Sequence, residues 1–280
     1  MDLFQTAGVG RHNNDSNNKR REEMISNLFH TQDPALQGLR TKWKTFLATL
    51  CSQPYDDVIV KKKGGRGVNY DFHIQFMSSG RVVYGVNAEF KHNASRIDKL
   101  PEYWTPAADK PYTEKLYADF FYEYLDRICE VYPGLAHYKP EKDVYVRLVH
   151  NTGYDRHAFF RNLYDMEKAG TSEQAKQKQQ IVRESIKTFL EQYATSLNLT
   201  MLTEDIRQRQ RGKIFILWNL REFVTDSIRE EEMEITHVEH VKNNNTIIAV
   251  SKYGTKHNLY LRWKNHLGVL YPAWQISLTR

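Results

Sequence analysis

The sequence is poor in cysteine, in long apolar runs and, over its last 39 residues, in acid. Cys51 and Cys129 are the two cysteines, far apart and without metal-type spacing, which excludes a zinc ribbon or a disulfide scaffold. Both read as reduced, mostly buried thiols. No run approaches the roughly 20 apolar residues that a helix needs to cross a bilayer, so no membrane association is expected. The opening stretch (MDLFQTAGVGRHNNDSNNKRREE) holds no apolar signal core, which points to an intracellular protein, cytoplasmic or nuclear, rather than a secreted one. The phosphate-loop pattern GxxxxGK[ST] is missing, so chemistry driven by nucleotide hydrolysis is not expected.

What is present is charge of one sign in one place. The chain has 40 basic and 34 acidic residues, a net charge of +6. Lys242, Lys252, Lys256, Arg262, Lys264 and Arg280 lie in the last 39 residues with no Asp or Glu among them, so this segment accounts for the whole excess. A localised positive field suits a polyanionic partner, with a solvated basic face as the alternative.

A chain of 280 residues can bury a substantial core, either as one large domain or as a domain with an appendage. Residues 1–20, with the Asn-rich stretch GRHNNDSNNK, read as a flexible lead. Leu36, Leu39, Trp43, Phe46 and Leu50 recur at helical steps, and residues 113–132 carry the clearest amphipathic helix. Strands are predicted in DDVIVKKK, in two segments between Asn69 and Lys91, in VYVRLVH and in KIFILWNL. Helical segments fall around 155–198, and four short strands fill the C-terminal part. The expected fold is α/β, or mixed α+β, with a main domain over 21–222 and a basic, β-rich subdomain over 223–280.

The stretch NYDFHIQFMSSGRVVYGVNAEFK places charge on a regular alternation. On its first strand Tyr70, Phe72, Ile74 and Phe76 share one face, while Asn69, Asp71, His73 and Gln75 share the other. On its second, Val82, Tyr84, Val86, Ala88 and Phe90 oppose Asn87, Glu89 and Lys91. A reversal at Ser78-Ser79-Gly80 centred on Gly80 sets Asp71 beside Glu89, with Cβ atoms roughly 5 Å apart. Two such carboxylates repel unless a proton or a cation lies between them. A hard divalent ion such as Mg²⁺ takes oxygen ligands of this kind.

Asp71, seventeen intervening residues and then Glu89-Phe90-Lys91 on the next strand resembles the PD-(D/E)XK motif of restriction-endonuclease-like nucleases. The order helix, three strands, helix, strand over roughly 34–150 is similar to that family's core. The resemblance implies Mg²⁺-dependent (or Mn²⁺-dependent) hydrolysis of phosphodiester bonds. It makes Asp71 and Glu89 the metal ligands and Lys91 the catalytic lysine, with Glu22 or Glu23 as an added acid from the first helix. Tyr70 stands where the motif has proline. Duplex DNA is the expected substrate, as for a type II restriction or homing enzyme, and cutting both strands favours a symmetric homodimer. The alternatives are an ordinary solvated face and a protein on the same fold that binds nucleic acid without cutting it.

Basic groups around the motif suit a phosphate backbone. Lys61, Lys62, Lys63 and Arg66 flank glycines just before the first of these strands. Asn93, Ser95 and Arg96 follow Lys91. In the tail, Lys252, Lys256, Arg262 and Lys264 alternate with Tyr253, Tyr260, Trp263 and Tyr271, residues that contact DNA or fill a β core.

Overall fold

The computed structural model describes residues 2–9, 15–63, 69–106, 109–151, 153–266 and 268–280. Helices α1 (Leu3–Thr6), α2 (Asp15–Asn27) and α3 (Gln37–Leu50) lead into strands β1 (Asp57–Lys62), β2 (Phe72–Ser78) and β3 (Arg81–His92). The chain then forms α4 (Tyr117–Phe121), α5 (Leu125–Val131), α6 (Lys142–Val149), α7 (Ala158–Ala169), α8 (Ser172–Tyr193) and α9 (Leu199–Gln210). Strands β4 (Lys213–Trp218) and β5 (Phe223–Asp226), helix α10 (Glu230–Met233) and strands β6 (Ile235–Lys242), β7 (Thr246–Ser251), β8 (Lys256–His266) and β9 (Val269–Thr279) complete it. No described helix is long and apolar enough to cross a membrane.

These elements divide into two compact units. The first joins Met1–Leu100 to Asp205–Glu230, and the second joins Pro101–Glu204 to Glu231–Arg280. The sequence boundaries at 21–222 and 223–280 therefore move. The insertion is far longer than 155–198, and the C-terminal strands belong with it.

The first unit is a mixed sheet in the order β1-β2-β3-β4-β5, in which β3 and β4 run parallel and the other pairs antiparallel. Its buried face is most of the apolar set read from the alternation, Phe72, Ile74, Phe76, Val86, Ala88 and Phe90, with Val58 and Val60 of β1; Val82 and Tyr84 of that set, near the turn, are exposed. Leu39, Trp43, Phe46 and Leu47 of α3 cover it. The hairpin closes through Ser79 (φ 49°) and Gly80 (φ 74°), a two-residue turn whose twist matches the strands. Opposed position numbers add to 159 beside this turn and to 160 from Phe76 onward, because Val83 is an extra residue on β3. That bulge brings apolar opposite apolar and polar opposite polar.

Four expectations are corrected here. VYVRLVH forms α6 rather than a strand; its buried members, Tyr145 and Val149, are four apart, and so short an apolar run fits either period. The strand parallel to β3 is instead β4, preceded by α9, so the core extends far beyond residue 150. The N-terminal lead is structured over residues 2–9. Phe4 and Val9 are buried, Phe4 packs on Phe90 and Trp218, and Asp2 accepts hydrogen bonds from Trp218 Nε1 and the Phe4 N–H. In the same way, 113–132 is broken by a 3₁₀ turn at Tyr122–Tyr124.

The second unit pairs an antiparallel sheet, β6-β7-β8-β9, with the helices α4–α8. Thr171 and Gln174 form a capping box that starts α8, and Ile181, Ile186, Phe189 and Leu190 form its buried stripe.

Candidate active site

The polar face of the β2–β3 hairpin carries the site. Phe72 opposes Ala88 and the Asp71 N–H donates to the Ala88 carbonyl, so Asp71 follows at the end of the hairpin beside the Ala88–Phe90 segment of β3. Asp71 lies just outside β2, and its Oδ2 accepts from the Phe90 N–H at 2.8 Å. Burial raises its pKa, the neighbouring Glu89 raises it further, and Lys91 and Lys213 oppose both. One step inward, the His73 ring bonds the Asn87 side chain at 2.8 Å, so His73 is held within the sheet face.

Glu89 lies between two ammonium groups. Lys91 Nζ is 2.7 Å from Oε1, and Lys213 Nζ donates to Oε2 at 2.6 Å. Burial alone would raise the Glu89 pKa, but the two lysines outweigh it and hold the carboxyl below its ordinary range. Lys213, its side chain 3 % exposed, is lowered by burial, with Glu89 acting in the opposite direction. Sequence reasoning missed Lys213. Its signal was a lysine opening the apolar run KIFILWNL, on a strand whose pairing with β3 periodicity alone does not reveal.

Between the two first-helix candidates the structure discriminates. Glu22, half-buried, has its pKa raised by burial and then by Asp71, while Lys62, Lys19 and Lys91 pull it back. Glu22 therefore faces the same field as Asp71. Glu23 is exposed and bonded to Lys62 Nζ at 2.9 Å.

The flanking residues fall into separate groups. The Lys63 N–H donates to the Asp71 carbonyl, which puts Lys62 and Lys63 at the same end of the sheet as Asp71, both exposed. Arg66 lies outside the described residues. Asn93 (φ 58°) and Ser95 are exposed just beyond β3, and Arg96 pairs with Asp98 at 2.8 Å. The Asn69 side chain bonds the Arg209 carbonyl and so ties the segment before Asp71 to the end of α9. Gln210, next in the chain, is buried, and its amide has no partner among the described residues.

The tail residues belong to the second unit, where much of their charge is answered. Lys256 pairs with Glu239 at 2.7 Å, Lys264 with Glu102 at 3.7 Å and Arg280 with Glu232 at 2.7 Å. Arg262 donates to Gln275 Oε1, and Trp263 packs on Phe121 at 4.7 Å. The acid-free tail is thus partly neutralised by carboxylates from elsewhere in its unit. Lys252, beside the 65 % exposed Tyr253, makes no ion pair among the described residues.

Asp71 and Glu89 offer only oxygen donors, which suit a hard divalent cation better than a softer metal. Among the described residues no three His, Cys, Asp or Glu side chains are close enough to enclose an ion. Such an ion would complete its shell from water and a phosphate, as Mg²⁺ ordinarily does. Compared with known proteins, the chain matches no family model and no curated sequence.

Proposed function

We propose that this chain is a Mg²⁺-dependent endonuclease that hydrolyses phosphodiester bonds of duplex DNA on a restriction-endonuclease-like core. The observation that carries this reading is the end of the hairpin, where Asp71 Oδ2 accepts from the Phe90 N–H, one residue from Glu89, and the Lys91 ammonium is 2.7 Å from Glu89. The order helix, three antiparallel strands, helix and parallel strand supports it, as does the rise in the Glu22 pKa that burial and then Asp71 produce.

Asp71 and Glu89 would hold Mg²⁺, or Mn²⁺ in its place, and Glu22 would reach it through water. The bound ion would polarise the phosphate and lower the pKa of a water. Lys213 keeps Glu89 ionised despite its burial, so the carboxylate needs no proton removed before it can ligate. Lys91 can turn from Glu89 to orient the attacking water and to stabilise charge developing on the phosphate oxygens. Lys62, Lys63 and Asn93, exposed around this end of the sheet, would contact the DNA backbone and make binding weaken with salt. One observation favours a second reading. Both Glu89 oxygens already have ammonium partners, and such a cluster is self-sufficient in a protein that binds DNA without cutting it.

Supercoiled plasmid incubated with the purified chain and Mg²⁺ separates the two. The endonuclease nicks or linearises it. Glu89→Ala and Lys91→Ala each slow cleavage about 100-fold or more while gel-shift binding in Ca²⁺ persists. Binding without cleavage in either Mg²⁺ or Mn²⁺ would refute the enzyme and leave the binding protein.

A further inference from the structure

A cavity of about 1180 Å³ lies within the second unit, lined by residues of α4–α8, the β6–β7 turn, β8 and β9. Its lining has three chemistries. The first is aromatic: Phe121 and Trp263 have ring centres 4.7 Å apart, and the rings of Tyr145 and Phe160 lie 24° from parallel. The second is cationic, from Lys178, Arg183 and Lys187 on α8 and Arg262 on β8. Glu184 and Glu167 also line the cavity, but Glu184 is bonded to Arg127 and Glu167 to Lys178. Arg183 is exposed and makes no ion pair among the described residues. The third is amide, from Asn243, Asn244 and Asn245. Asn243 (φ 53°) and Asn244 (φ 59°) hold the left-handed backbone of the turn, and both are exposed. Their side-chain amides form no hydrogen bond among the described residues.

An apolar ligand would leave these cations and amides unused, and a simple anion would have no need of the aromatic wall. A ligand that uses all three has a planar ring with hydrogen-bonding edges and carries a negative group. We propose that this cavity binds a nucleotide. The heterocycle lies against the aromatic rings, the amides of Asn243 and Asn244 meet its polar edge, and Arg183 takes the phosphate. The volume exceeds that of most small-molecule sites and admits a nucleotide with its neighbours in a strand. The same chemistry is offered by a free mononucleotide and by an unstacked nucleotide of a nucleic-acid strand. The inference stands on the second unit's residues and does not depend on cleavage by the first.

The test uses the full chain carrying Glu89→Ala, so that no cleavage can alter the probe. Deoxynucleoside 5′-monophosphates are titrated by calorimetry, and a labelled single-stranded oligonucleotide is followed by fluorescence anisotropy. Arg183→Ala and Asn244→Gly are compared with this parent; the glycine keeps the positive φ. Saturable binding of mononucleotides, weakened about tenfold by each substitution, supports the site and assigns it to free nucleotides. Saturable binding of the oligonucleotide alone, weakened in the same way, supports it and assigns it to an unstacked base. Absence of saturation by either probe at about 1 mM overturns it. So does binding that both substitutions leave unchanged, or capture of an acidic, aromatic peptide in place of either probe.

Discussion

Glu89 shows how one residue's surroundings settle its chemistry. A carboxylate removed from water would normally hold its proton more tightly, and here two ammonium groups reverse that tendency. Lys91 is the partner that a sequence pattern can supply, since it lies two positions along the same strand face. Lys213 is supplied by the fold, from a strand more than a hundred positions away in the chain. Lys213→Met keeps the apolar stem and removes one ammonium, so Glu89 and the nearby Asp71 both take up protons at higher pH. In the proposed nuclease, the acid limb of the pH–rate profile should then move toward neutrality. An acid limb that stays in place in this variant would show that Lys213 does not govern the ionisation of the site.

At the scale of elements, the alternation of β2 and β3 was legible because each strand has one face in the core. Phe72, Ile74, Phe76, Ala88 and Phe90 all point where period two placed them. The bulge was less legible, since turn residues restrict the register but do not count the residues between turn and site. Val83 decides it. Were Val83 paired with Phe76 instead of bulged, the register of 159 would run the length of the hairpin and set Phe72 against Asn87. Deleting Val83 should therefore remove the bulge, leave the pairs from Phe76–Tyr84 onward unchanged and cost about 1 kcal/mol, whereas deleting Gln75, which turns the residues of β2 beyond it to the other face, should cost about 3 kcal/mol or more. Urea unfolding of the two variants checks this, and similar losses in both would refute the role of the bulge. The α6 segment was illegible for a different reason. Val144, Val146 and Leu148 alternate like a strand, while Tyr145 and Val149 form the stripe that the fold buries. Tertiary packing chose between two patterns in the same residues.

At the scale of the whole molecule, charge balance was read correctly as a count but not as a distribution, because ion pairs such as Lys256–Glu239 and Arg280–Glu232 join positions that sequence separates. The second unit also carries a built-in acid sensitivity. His257 is buried, its Nε2–H donates to the Glu232 carbonyl at 2.7 Å, and its Nδ1 accepts from the Tyr103 hydroxyl at 2.7 Å. Burial outweighs the nearby Glu232 and pushes its pKa down to about 4. In the unfolded chain it titrates near 6.5, so between about pH 6.5 and 4 the unfolded state takes a proton that the folded state refuses. The neutral form thus contributes stability that is complete above about pH 6.5 and declines by up to about 3 kcal/mol as pH falls to about 4. Urea unfolding across this range should show that slope, and His257→Gln should flatten it; equal slopes in both proteins would refute the assignment. The division into units has a last consequence, for synthesis. A ribosome that has made residues 1–100 has already incorporated the acids of the hairpin and Lys91. The strand that hydrogen-bonds to β3 on its other edge follows only after another hundred residues have been translated. Until then β3 is an open edge, and its key carboxylate waits for its second cation. The centre therefore matures late, after the Pro101–Glu204 part of the second unit has been made.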